Sequence, residues 1–266
     1  MSRRRGLLQA ILELELDSVY RSPICEAIVA VILFVSLSGG ISQGKTSVLM
    51  DIGPEMSWNT PEMINKYLGF LDRFVAAYAA VLTETLSIVV LLVPILIGMS
   101  VARAFEDGTL RTLLTYPIHR SSILSIKLGT ALLLTAVPAT LASLFAVYIY
   151  VPGTWSLIPL LLLTFGFWLL ILLVSSIALL YCVLTRRFLV GTAGGIITGY
   201  GILTATAVSG FPQTLGYVLN PLVAVTEFLS GGILVPQSLC TAVGLTIAMS
   251  IALLILSSMV FGRMEV

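Results

Sequence analysis

Charge is what this chain has least of. Asp, Glu, Lys and Arg together supply 10% of its 266 residues, the apolar set supplies 58%, and the net charge is only +1. That balance excludes an ordinary soluble domain, in which about a quarter of the residues are charged. No basic tract exists that could follow a phosphate backbone, so nucleic acid is excluded as a partner. Histidine is nearly absent too. His119 stands alone, which rules out a Ser-His-Asp array or a histidine-built metal site within one chain. It reads as a solvated or interface side chain. The three cysteines, Cys25, Cys182 and Cys240, lie far apart with no CxxC, and read as small apolar side chains. The uncharged core of a secretory signal is missing as well, because Glu13, Glu15 and Asp17 interrupt the first leucine-rich stretch.

What is present is hydrophobic length, at a mean hydropathy of +1.07. Six runs, Ile24–Gly40, Leu82–Ala102, Ser122–Tyr148, Leu157–Thr185, Phe188–Val208 and Leu239–Phe261, are near or above the ~20 residues that a helix needs to cross hydrocarbon. They lack the alternation of a membrane barrel. The basic residues set the orientation. With the N-terminus inside, Arg3, Arg4, Arg5, Arg21, Arg103, Arg111, Arg120, Lys127, Arg186, Arg187 and Arg263 lie inside, and only Lys45, Lys66 and Arg73 of the 14 lie outside. The expectation is a multi-pass protein of the cell membrane with both termini cytoplasmic. Carboxylates then fall on both faces, and no glycosidase-like pair can form across the bilayer.

Ahead of the first run, Arg3, Arg4 and Arg5 precede Leu7, Leu8, Ile11, Leu12, Leu14, Leu16 and Val19. This reads as an amphipathic helix in the cytoplasmic interface, ended by Arg21-Ser22-Pro23. In the first outer loop, Trp58, Pro61, Tyr67 and Phe70 suggest an ordered cap, and Pro152-Gly153-Thr154 make the second outer connection a turn. The third, Phe211 to Gln237, lacks basic residues and is broken by Pro212, Asn220-Pro221, Gly231-Gly232 and Pro236. It is too interrupted to span and too apolar to float free, so it reads as a re-entrant or interfacial hairpin, with Glu227 facing water or the rim of a cavity.

One motif misleads. Gly39, Gly44, Lys45 and Thr46 satisfy the phosphate-loop pattern in full. A working phosphate loop follows a buried strand and leads into a helix, whereas here a membrane span precedes it and the loop faces outward. No nucleotide site is expected.

The informative stretch is Ala104 to Gly129, between the second and third runs. Glu106 and Asp107 open it, Gly108 and Thr109 start a short amphipathic segment with Leu110, Leu113 and Leu114 at helical spacing, and Pro117 stops it. Arg120 and Lys127 follow. Such a capped helix on the cytoplasmic side reads as a contact surface. Within the membrane, Gly191, Gly195 and Gly199 recur every four residues, with a subunit interface and packing within one subunit both open. Glu84 lies ten residues, about 15 Å, from Phe74, and nineteen, about 28 Å, from Arg103. Arg103 is the better anchor, which makes Glu84 an outer-interface carboxylate. The alternative is a buried group on a substrate path.

These residues resemble the membrane subunit of a type-2 ABC transporter, the exporter-type permease family. Glu106, Gly108, Thr109, Leu110, Leu113, Leu114, Pro117, Arg120 and Lys127 are similar to that family's pattern of an acidic residue, Gly-Thr-Leu, two leucines, Pro, Arg and Lys. Asp107 departs from it slightly, standing where small polar residues are common. The layout of six spans, interfacial N-terminal helix and outer re-entrant segment is also similar.

The resemblance implies an all-α polytopic fold in a single transmembrane domain. Residues 1–23 are then an interfacial helix, 104–120 a cytoplasmic coupling helix, and 41–73 and 211–237 outer loops. It implies that Glu106 to Leu110, Leu113, Leu114, Pro117 and Arg120 meet an ABC ATPase subunit, two of which serve each complex, and that the N-terminal helix rests on it too. It further implies a second permease subunit, with the first and fifth spans at the dimer centre. No cofactor binds this chain; ATP and magnesium belong to the ATPase. Sparse intramembrane charge leans toward an apolar or amphipathic cargo. The alternative is a stand-alone secondary transporter or a membrane assembly factor without an ATPase.

Overall fold

The computed structural model describes residues 23–51, 73–110, 120–151, 156–207, 212–230 and 236–263. Every regular element among them is helical. Six are membrane-crossing in length and hydropathy, and the chain is an all-α, multi-pass membrane protein. α1 is Pro23–Asp51. α2 joins an α-helical stretch Arg73–Ile97, a π-helical turn Gly98–Ala102 and a last turn Arg103–Glu106. α3 is Arg120–Tyr150, α4 Leu157–Thr185 and α5 Phe188–Ala207. Two short helices, α6 Gln213–Leu219 and α7 Pro221–Leu229, precede α8, Pro236–Arg263.

α2 is the axis of the bundle. It packs against α1, α3, α4 and α5, and 61% of its membrane window is buried, against 17% for α8. Arg103, Arg120, Arg186, Arg187 and Arg263 all fall at helix ends on one side, here called the basic end.

Two of the expected boundaries move. α1 continues eleven residues past Gly40, and α2 begins at Arg73 instead of Leu82. Residues 41–51, expected in an outer loop, are therefore helical. Hydropathy falls at Ser42, Gln43, Lys45 and Thr46, but helical hydrogen bonding does not stop there. The phosphate-loop look-alike is thus a stretch of helix, and its glycines have a packing role. A methyl at Gly40 would lie 2.8 Å from Ala146 Cβ, and one at Gly44 would lie 2.9 Å from the Tyr150 carbonyl oxygen. Without those methyls α1 approaches the backbone of α3 closely.

The same contact is sealed by three hydroxyls. Ser36, Thr85 and Ser143, from α1, α2 and α3, are each fully buried. They form a triangle with sides of 3.1, 3.2 and 3.4 Å. Buried hydroxyls in an apolar medium need partners, and these satisfy one another.

α6 and α7 form a V. Pro212 precedes α6; Asn220 Oδ1 caps α7 by accepting from the Val223 N–H, with Pro221 at the first helical position. The tip is buried. Asn220 donates to Thr206 near the end of α5, and Thr246 of α8 donates to the Val218 carbonyl. A methyl on Gly166 of α4 would lie 3.2 Å from the Pro221 carbonyl oxygen. Gly166 and Thr246 are nine and ten residues inside their helices, so the tip sits about 14 Å below those helix ends. Its irregular backbone is covered by protein, as membrane burial demands. Glu227, expected at water or a cavity rim, is half-buried and accepts a hydrogen bond from the Tyr217 hydroxyl across the V.

Candidate functional site

The basic-end corner is built from the end of α2, the start of α5 and the end of α8. The last turn of α2 closes with Asp107 N–H donating to the Arg103 carbonyl and Gly108 N–H to the Phe105 carbonyl. Gly108 has φ +71°, the left-handed conformation that ends helices and that only glycine adopts without strain. A new helical turn starts at once with Thr109 and Leu110. Leu110 is buried and Thr109 exposed, so the chain turns its leucine into the bundle and its hydroxyl outward. The Thr109 hydroxyl donates back to the Ala104 carbonyl. Asp107 forms an exposed ion pair with Arg103 at 3.5 Å, an interaction worth little.

Glu106 does something that its place in the sequence does not announce. Its Oε1 accepts the backbone N–H of Phe188 at 2.9 Å, across 82 residues. α4 ends at Thr185; Arg186 takes a left-handed conformation (φ 52°) and Arg187 completes the turn into α5. The first N–H groups of α5 lack intrahelical partners, and a carboxylate there both satisfies one and favours the positive end of the helix dipole. Glu106 stays exposed, so it meets α5 without leaving the surface. One residue earlier, Phe105 packs edge-on against the fully buried Phe261 of α8, centroids 5.8 Å apart. The turn at the end of α2 is thus tied to both α5 and α8. Arg186 and Arg187, which mark the start of α5, were the signal that could have exposed the Glu106 contact.

Of the other expected site residues, Leu113, Leu114 and Pro117 lie outside the described residues, as do the N-terminal helix and the first-loop aromatics. Arg120 opens α3. The glycine stripe has close neighbours within the chain. A methyl at Gly191 would meet Cys182, one at Gly195 would meet Ala178 and Pro94, and one at Gly199 would meet Val90 and Val174, all at 2.7–3.3 Å. These are α4 and α2 of the same chain. At these positions the stripe packs within the subunit.

The same register, Gly199 beside Val90 and Gly195 beside Pro94, sets Glu84 opposite Thr204–Thr206, the last turn of α5. That is the level counted from Arg103. Glu84 is exposed, its carboxylate lying over Gly39 of α1. Among the described residues, no three His, Cys, Asp or Glu side chains converge as metal ligands would.

No protein-family model matches this chain, and no curated protein matches it.

Proposed function

We propose that the chain is the permease subunit of an ATP-driven exporter of the type-2 ABC class. It works with two separate ATPase subunits and with a second permease, the same chain or a similar one. The observation that carries this reading is the corner at Glu106–Leu110. The last turn of α2 is bonded directly to α5 through Glu106, a new helical turn starts at the Gly108 cap, and the residues continue the family-like pattern through Leu113, Leu114, Pro117, Arg120 and Lys127.

In this reading the basic end is cytoplasmic, and the exposed Asp107 and Thr109 face the ATPase. Closure of the ATPase pair thrusts on the element. Glu106 and Phe105 pass that thrust to α5 and α8, while α2 carries it up the bundle axis. The spans then alternate between two arrangements of different affinity for the nucleotide-bound ATPase. Cargo leaves outward along the path between the permeases. The long charge-free helices α4 and α5 favour an apolar or amphipathic one.

Glu106→Leu and Gly108→Ile, reconstituted with the ATPase, should abolish transport-coupled ATP hydrolysis. Gly108→Ile adds a left-handed strain of about 1–2 kcal/mol at the turn. Normal hydrolysis and transport in both variants would refute the coupling assignment.

A further inference from the structure

The π turn Gly98–Ala102 interrupts α2 one turn before Glu106. It is defined by the Arg103 N–H reaching back five residues to the Gly98 carbonyl, so α2 holds one residue more here than an α-helix would. Everything beyond it is consequently rotated by about 100° and displaced by about 1.5 Å relative to an uninterrupted helix. Glu106, which lies beyond this offset, accepts the Phe188 N–H.

The turn also carries an unmet demand. Serine and threonine on these helices usually donate to a carbonyl three or four residues back, as Thr83, Thr135, Thr140, Ser175 and Thr198 do. Among the described residues, the buried hydroxyls without a partner are Ser100 Oγ and Thr192 Oγ1. Both are at this joint. Ser100 lies within the widened turn, and Thr192, 7% exposed on α5, points at Gly98, where a methyl would collide with its hydroxyl. Closing the turn to α geometry restores the normal carbonyl four residues behind Ser100. It also carries Glu106 off the start of α5. The wide register therefore keeps the Glu106–Phe188 bond and the Phe105–Phe261 contact, and the α register recovers a bond for Ser100.

We infer that the π turn is a one-residue register switch in α2, held in the wide form by the Glu106–Phe188 hydrogen bond and relaxing to α-helix when that bond is released. The inference concerns the corner of α2, α5 and α8 and stands or falls without any ATPase.

The test is double electron–electron resonance on the full chain in detergent. Cys25, Cys182 and Cys240 are replaced by alanine, and nitroxides are placed at Asp107→Cys and Ile197→Cys, both exposed. The parent should give one distance. Deleting Met99, which removes the extra residue, should give a second distance displaced by on the order of 5–8 Å, the arc that a 100° rotation sweeps at the helix surface. Glu106→Ala should populate that same second distance, and adding Ser100→Ala should return the population toward the first. A single unchanged distance in Glu106→Ala overturns the switch, whether or not the Met99 deletion folds. Because the readout contains no ATPase, failure here leaves the permease reading intact, and failure of that reading leaves this result standing.

Discussion

The α1–α2–α3 contact and the basic-end corner solve the same problem in opposite ways. At the first, glycines let backbones touch, and each hydroxyl in the Ser36–Thr85–Ser143 triangle has partners. At the second, one carboxylate–amide bond and one edge-on ring pair join α2 to α5 and α8, beside two hydroxyls with no partner. Close packing with satisfied polar groups yields a region that opens only at high free energy, whereas a joint that holds unpartnered hydroxyls gives up less when it rearranges. The difference separates a fixed body from a hinge within one helix, α2.

Filling the glycine contact should give the largest effect. Gly40→Val sets a branched side chain against the backbone of Ala146, which cannot move aside as a flexible side chain would. Overpacking of this kind costs about 1–3 kcal/mol or more. Thermal unfolding in detergent should show a large loss of stability, and a variant as stable as the parent would refute the close contact. A smaller loss is expected from Thr85→Val, which breaks two sides of the triangle but leaves Ser36 and Ser143 3.4 Å apart. The cost should be about 0.5–1.5 kcal/mol, and Ser36→Ala added to it should cost less than its effect alone.

The smallest effect belongs to the V. Burial first, then the hydrogen bond and charge of Glu227, push the Tyr217 phenol from 10.0 up to about 12. A group whose folded pKa is raised contributes stability that is full below the unfolded value and is lost as pH rises through the folded one. Stability should therefore fall between about pH 10 and 12, and Tyr217→Phe should flatten that part of a melting-temperature profile. An unchanged slope would contradict the Tyr217–Glu227 bond.

Much of the fold was legible because hydropathy reports solvation. α4 begins and ends where the sequence alone placed it, since no charged residue interrupts 157–185 and Arg186 follows at once. At α1 and α2 the same rule stopped short, because helices run on past the last apolar residue while their own hydrogen bonds continue. The Asn220–Pro221 break correctly announced the tip of the V. The neighbours of small residues were not legible: spacing shows that Gly191, Gly195 and Gly199 share a face, but not that α2 and α4 fill it. For Glu106 the sequence showed a surface carboxylate, and the bond to α5 needed the fold to bring Phe188 across 82 residues. The π turn left no periodic trace, since one extra residue in a run without a polar face changes no pattern.

The central claim is that the element beginning at Gly108 is a cytoplasmic contact for a separate ATPase. Photocrosslinking in native membranes from a benzophenone attached at Thr109→Cys, in the chain lacking its other three cysteines, tests it most directly. The account predicts a crosslink to an ABC ATPase subunit whose yield changes with ATP. A chain that forms no such crosslink, and whose residue 109 reacts with an impermeant thiol reagent added outside the cell, would contradict it.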